Sequence, residues 1–312
     1  MSLENDLLLE RQRIRRKLIR WRVVAFCLFI LACLSLSAKT FTSQLKGSSG
    51  YITKLKIEGT IKSDVTKQIE LLDKASSNPS VKALILYVNS PGGAVTGGEE
   101  LHDAVERFAQ KKPVVVSMGG VAASAGYMIS LPAQRIFALN STLTGSIGVL
   151  MQSPDISKLL DKVGVNVDQL VSGPMKGQPS MVKPLSDQGR QMLQGLISNY
   201  YDQFISMVVK SRHMSIARAK QLGDGRPYTG QQALSLGLID QIGNEQAAKN
   251  WLIKTYKFQK NMPVKELKNQ KNSEWISHFI GKVFGSSVGS FMHSLVYDSQ
   301  DHLDGALAIW AP

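Results

Sequence analysis

The chain has 312 residues, 43% of them apolar and 20% charged, with a formal net charge of +13, enough for one large core plus an appendage. The basic excess is not a nucleic-acid signature: seven Arg and Lys fall between Arg11 and Arg22, and the others are scattered rather than set in a stripe interleaved with aromatics. Both cysteines, Cys27 and Cys33, lie in one apolar run, which leaves the remainder of the chain without a disulfide or a thiolate metal site.

Residues 1–22 read as a basic cytoplasmic N-terminus and 23–40 as a transmembrane signal anchor. Val23 to Ala38 is short for a spanning helix of roughly 17–25 residues, but Leu18, Ile19 and Trp21 extend it, with Arg20 and Arg22 snorkelling towards the headgroups. The cluster RQRIRRKLIRWR holds the N-terminus in the cytoplasm, so everything after residue 40 crosses the membrane. A cleaved signal peptide ending near Ser35–Ser37 and a lipobox-like Ile30-Leu-Ala-Cys33 are the alternatives; the long charged N-region favours a retained anchor.

Residues 50–262 alternate strand and helix patterns, an α/β fold of βαβ type. ITKLKIEGTI is a strand, and a helix follows over 64–75. VKALILYVN is a continuous apolar run ending in Asn89-Ser-Pro-Gly-Gly93, as in a buried central strand. A helix spans 97–109, with Leu101, Val105 and Phe108 at helical spacing. PVVVSM is a second buried strand, and GGVAASAGYMISL turns from it into a short helix. RIFAL and TGSIGVL are further strands, ISKLLDKVGV a short helix, VDQLVSG a strand, and 187–212 a long helix. Two helical stretches around Leu236-Gly-Leu238 complete the domain, and residues 263–312 form a weakly patterned tail of unreadable role.

Three glycine-rich turns sit at the carboxyl ends of predicted strands, the edge at which open α/β sheets bind ligands. In the first, Gly92 and Gly93 let backbone N–H groups approach a developing oxyanion. In the second, Ser124 stands among Ala122, Ala123, Ala125 and Gly126, resembling a G-x-S-x-G nucleophile elbow with Ala122 in place of the first glycine. A plain serine N-cap is the competing interpretation. In an elbow, the Ala125 N–H joins the oxyanion hole. The third turn carries Ser146 between Gly145 and Ile147, a hydroxyl able to orient a base towards Ser124.

Serine needs a base to become a nucleophile. His278, His293 and His302 lie in the tail, while His102 and His213 read as surface or capping residues. No HExxH or paired-cysteine motif supports a metal, and no cofactor is indicated. Lysine remains, since Ser–Lys pairs are a variant of the triad. Lys176, in Ser172-Gly-Pro-Met-Lys-Gly177, follows a predicted strand, with Lys183 a nearby competitor. A free lysine titrates near about pH 10.4, and neutrality at pH 7 needs roughly 4 kcal/mol against the charged form, attainable by burial. Ser43-Gln-Leu-Lys46 fits S-x-x-K but lacks the S-D-N and K-T-G that accompany it.

NSPGG, GGVAASAGYMIS, TGSIGVLMQ, SGPMKGQ and DGRPYTGQQALSLGLID, in that order over about residues 50–260, resemble the signal peptide peptidase A family in its short, single-domain form. The resemblance implies a ClpP/crotonase-like fold and serine endopeptidase action on peptides such as cleaved signal peptides, at the bacterial inner membrane and on its extracytoplasmic side. It assigns Ser124 as nucleophile, Lys176 as general base, Ser146 as the lysine-orienting hydroxyl, and Gly92 and Gly93 as oxyanion-hole candidates. It further implies a homo-oligomer, in ring or dome form, in which serine and lysine can come from neighbouring subunits. The family's Ser-Gly-Gly-Tyr-Tyr is here Ser124-Ala-Gly-Tyr-Met128, which bears on substrate preference. Two rivals are a crotonase-type acyl-CoA enzyme, which calls for an acidic catalytic residue, and an inactive envelope scaffold.

Overall fold

The computed structural model of the chain describes residues 50–268 and the backbone of 307–309. The predicted N-terminus and anchor, with most of the tail, lie outside the described residues. Among the described residues no helix is long and apolar enough to cross a membrane.

Strands and helices run in the order β1 (Tyr51–Glu58), α1 (Thr66–Ser77), β2 (Val81–Ser90), β3 (Gly92–Ala94), α2 (Val95–Ala109), β4 (Val114–Ala123), α3 (Ala125–Met128), β5 (Arg135–Ala138) and β6 (Leu143–Gly145). They continue through α4 (Ser157–Lys162), α5 (Asp187–Arg212), α6 (Ile216–Leu222), β7 (Pro227–Thr229), α7 (Gly230–Ser235), β8 (Gln241–Ile242), α8 (Glu245–Thr255), β9 (Val264–Glu266) and β10 (Leu307–Ile309). The main sheet has the order β7-β6-β4-β2-β1-β9. All its pairs are parallel except β6 with β7. The long β4 serves two neighbours: Val115–Ser117 pair with β5, and Val121–Ala123 pair with β6.

Side-chain alternation sorts the strands onto two buried faces. Leu84, Leu86, Val88, Val114, Val116 and Met118 point into the larger core, with Phe108 of α2, Tyr127 of α3 and Phe204 of α5. Ile52, Ala83, Ile85, Val115 and Phe137 point the other way, onto Ala248 and Leu252 of α8. Burial on both faces explains why the central strands read as unbroken apolar runs.

Helix α5 has the predicted limits, because both ends are capped. The Ser186 hydroxyl accepts from Gly189 N–H, and His213 takes the left-handed conformation after the last turn, with φ 50°. Elsewhere the sequence pattern misleads. VDQLVSG is not a strand; its side chains face solvent, Leu170 being 93% exposed, and no neighbouring strand completes its ladder among the described residues. The strand expected to stop at Met118 runs on through Gly119 and Gly120 to Ala123. Gly119 there serves a close approach, since a Cβ on it would lie 2.8 Å from the Tyr87 hydroxyl. The sheet also continues past residue 262, with Val264–Glu266 pairing parallel to β1.

Phe204 is fully buried where α5 meets the larger core. Phe204→Ala is expected to lower the unfolding free energy by about 3–5 kcal/mol, read from the midpoint of urea denaturation.

Candidate active site

Strands β6, β4 and β2 lie side by side and parallel, so their carboxyl ends share one edge. Each ends in one of the three glycine-containing turns. The register places Ala123 opposite Gly145, which sets Ser124 beside Ser146, and Ser90 opposite Ala122, which brings the Gly92–Gly93 turn alongside. The sheet thus gathers Ser124, Ala125, Ser146, Gly92 and Gly93 at one place.

Ser124 adopts φ 55° and ψ −120°, a conformation costing a non-glycine residue on the order of 1–3 kcal/mol. Its N–H is held by the Gly145 carbonyl at 2.8 Å, and its carbonyl accepts from Met128 N–H at 2.9 Å. It stands at the N-cap position of α3, yet its side chain makes no capping bond. Its Oγ is buried and without a hydrogen-bond partner among the described residues. A serine present only to cap the helix would have its oxygen occupied by a backbone N–H. This one is held ready in a sharp turn with its hydroxyl uncommitted, the geometry of a nucleophile elbow.

The oxyanion candidates differ from one another. Gly92 N–H is donated to Ser90 Oγ at 3.1 Å, and Gly92 carbonyl accepts from Ile61 N–H at 2.8 Å. Gly92 therefore fixes the turn, while the backbone of Gly93 faces away from Ile61, towards Ala308 of β10. Gly93 has φ 157°, and a Cβ there would fall 2.0 Å from the Ile61 carbonyl oxygen, so only glycine fits. Ala125 opens the first turn of α3, and its N–H is among those a helix leaves unpaired.

Ser146 has φ 46° and is nearly buried. Its Oγ donates to the Gly225 carbonyl at 3.1 Å, and its N–H donates to the Arg226 carbonyl at 3.1 Å. A cavity of about 310 Å³ opens beside it, lined also by Gly148, Leu150, Tyr201 and Asp224. Lys176 is exposed, on the long connection between β6 and α5, and its amine is bonded to neither Ser124 nor Ser146. Lys183 on the same connection is exposed as well. His102, expected at the surface, is buried on α2 with Nδ1 3.0 Å from Asp103 Oδ1.

Several supporting residues escape the sequence patterns. The Ser90 hydroxyl and the Gly225–Arg226 carbonyls act only through contacts distant in the chain. Tyr127 secures α3 by donating its hydroxyl to the Leu238 carbonyl at 2.8 Å. Their only trace in the sequence is their membership of the NSPGG, GGVAASAGYMIS and DGRPYTG motifs.

A mostly parallel α/β sheet that holds a strained, uncommitted serine in an elbow at its carboxyl edge has the architecture of a serine hydrolase. The profile of the Clp protease family matches residues 37–145, and that of Peptidase family S49 matches residues 106–259. A candidate protease of Synechocystis sp. is 36% identical over 200 residues, 64% of this chain and 72% of that one. A candidate protease of Methanocaldococcus jannaschii is 35% identical over 236 residues, covering 75% of this chain and 76% of its own. A chloroplastic serine protease SPPA of Arabidopsis thaliana is 33% identical over 178 residues, 56% of this chain and 26% of that protein. The chain belongs to peptidase family S49 and is a serine-type peptidase of the SppA group. The acyl-CoA alternative falls with that assignment.

Burial pushes the Tyr127 hydroxyl far above the ordinary tyrosine range, with Arg212 opposing the rise and Asp240 adding to it. The native tyrosine keeps its proton after the unfolded one has lost it. The unfolded state then binds fewer protons, and this part of the stability, complete below about pH 10, is lost as pH climbs towards the native value. Tyr127→Phe is expected to cost about 1–3 kcal/mol at pH 8 by stranding the Leu238 carbonyl. It should also flatten the decline in stability above about pH 10, as followed by urea unfolding at a series of pH values.

Proposed function

We propose that the protein is a membrane-anchored endopeptidase in which Lys176 activates Ser124 against peptides such as cleaved signal peptides, at the extracytoplasmic face of the bacterial inner membrane. The observation that carries the catalytic part is Ser124, strained in its backbone and with a buried Oγ that has no hydrogen-bond partner among the described residues. The basic cluster before residue 23 supports the orientation.

In this mechanism the neutral Lys176 amine takes the proton from Ser124, and Oγ attacks the peptide carbonyl. The N–H groups of Gly93 and Ala125 stabilise the oxyanion of the tetrahedral intermediate. The lysine ammonium then returns its proton to the leaving amine, and water, activated by the same amine, hydrolyses the acyl-enzyme. Ser146 steers the amine.

Within one subunit Lys176 is exposed and away from the hydrogen-bonding reach of Ser124 Oγ. The same connection exposes Leu159, Val163, Val165, Leu170 and Val171, an apolar surface that calls for a cover. These features support a homo-oligomer in which this connection packs on a neighbour and delivers Lys176 to the neighbour's serine. Burial in that contact would then supply the desolvation that a neutral amine needs.

Ser124→Ala and Lys176→Ala should each lower cleavage of an apolar fluorogenic peptide by on the order of a thousand-fold or more, with unfolding transitions unchanged. Wild-type turnover in either variant removes the dyad. When the two inactive variants are dissociated, mixed and reassembled, part of the activity should return, because some sites then combine an intact serine with an intact lysine. Mixtures that stay inactive would place both groups in one subunit.

A further inference from the structure

The candidate active site occupies the carboxyl edge of the sheet; the amino edge gathers lysines. The connections that enter β2, β4, β5 and β9 there are residues 78–80, 110–113, 129–134 and 256–263. They contain four lysines and no Asp or Glu, while Asp240, before β8, is already held by Arg212. Lys82 and Lys265 stand second in β2 and β9 beside them. Three of these amines crowd one turn. Lys112 Nζ donates to the Ala75 carbonyl at 3.0 Å, Lys111 Nζ to Ser76 Oγ at 3.5 Å, and Lys82 Nζ to the Pro79 carbonyl at 3.0 Å. Burial, together with the charges of Lys82 and Lys111, holds the Lys112 amine below the ordinary lysine range. Tyr51 ties this turn to β9. Its N–H donates to the Ser80 carbonyl at 2.8 Å, its hydroxyl accepts from Asn78 Nδ2 at 3.4 Å, and Lys265 Nζ lies 4.2 Å from its ring centre. Among the described residues, none of Lys82, Lys111, Lys112, Lys257, Lys260 and Lys265 is paired with a carboxylate.

We propose that this amino edge docks on an anionic lipid surface and so holds the catalytic edge turned away from the bilayer. The proposal rests on the anchored reading given above. Charge complementarity selects the chemistry: a cluster of lysines without carboxylate partners matches a plane of phosphate headgroups. Each lysine that reaches such a plane is worth roughly a five-fold gain in binding. Tyr256, 38% exposed and stacked on Phe258 with ring centres 5.8 Å apart, adds an aromatic of the kind that sits at headgroup level. Chain geometry selects a membrane over a soluble polyanion. Gly50, the first described residue, enters β1 at this same edge, where a Cβ on it would meet the Lys82 side chain. Residues 41–49, which join it to the proposed anchor, span at most about 30 Å. The tether therefore brings the lysine-bearing edge to the headgroups first. Strands β2 and β4 have ten residues each, a rise of about 30 Å that sets the active site on the far side. A site so placed receives peptides that have left the bilayer rather than segments still spanning it.

The full-length chain with Cys27→Ser and Cys33→Ser accepts a single fluorophore, on Asn261→Cys at the amino edge or on Thr60→Cys at the carboxyl edge; both positions are exposed. Each labelled protein is placed in nanodiscs of phosphatidylcholine, or of three parts phosphatidylcholine to one of phosphatidylglycerol, with a headgroup nitroxide as quencher. The label at position 261 should be quenched at least about two-fold more in the anionic discs than in the neutral ones, and the label at position 60 equally little in both. Molar sodium chloride, or Lys82→Gln, Lys111→Gln, Lys257→Gln and Lys260→Gln together, should remove the difference. Equal quenching at position 261 in the two discs, stronger quenching at position 60, or a difference that survives the four substitutions overturns the docking. Flotation with phosphatidylcholine vesicles tests the anchor separately. Should the chain stay in solution, the anchor is removed, and docking is read from phosphatidylglycerol vesicles. These should bind the chain with four substitutions at least about ten-fold more weakly than the unsubstituted chain. Equal binding of the two chains overturns the docking face as well.

Discussion

The site depends on one constrained residue. Ser124 is forced into a left-handed conformation at the end of a buried parallel strand, and the hydrogen bond from its N–H to the Gly145 carbonyl ties that turn to the next strand. A serine adopts such a backbone only where its surroundings over-determine it. Here the register of β4 with β6, the packing of α3 and the bond from Tyr127 to Leu238 all bear on the same few residues. The strained turn is therefore a consequence of the sheet. The hydroxyl can be aimed and left uncommitted because the rest of the elbow is fixed without it.

The same edge divides labour among backbone groups. Gly92 is used up in holding its turn, through Ser90 on one side and Ile61 on the other, while Gly93 turns its backbone towards β10. Ser146 is likewise anchored by carbonyls of the Gly225–Arg226 segment. In the proposed mechanism the fixed dipoles that stabilise the oxyanion come from the chain that carries Ser124, while the base comes from a neighbour. Such a separation would tie chemistry to assembly: an isolated subunit would hold an elbow and its backbone donors but no base.

Much of this was readable from residue patterns, for a physical reason. Strands buried on both faces become continuous apolar runs, so VKALILYVN and PVVVSM stand out, and chain reversals at the ligand-binding edge demand small residues, so NSPGG and VAASAG stand out too. Ser186 and the residues preceding His213 mark the ends of α5 through local capping chemistry. The failures share a cause as well. VDQLVSG has strand composition but no partner among the described residues, and β-propensity describes a fit to neighbours rather than a backbone preference. Gly119 and Gly120 look like a turn, yet they lie within β4, where the Tyr87 hydroxyl and the Asn89 side chain approach Gly119 too closely for a Cβ. The pairing of β3 with β10 joins residues more than two hundred positions apart, and no local pattern announces it.

The most direct measurement is a crystal structure of the assembled protein, read for the distance between each Ser124 Oγ and the nearest Lys176 Nζ. A Ser–Lys dyad shared between subunits predicts a hydrogen-bonded contact of about 3 Å across an interface. An assembly in which every Lys176 amine points into bulk water, remote from any Ser124 hydroxyl, would contradict it.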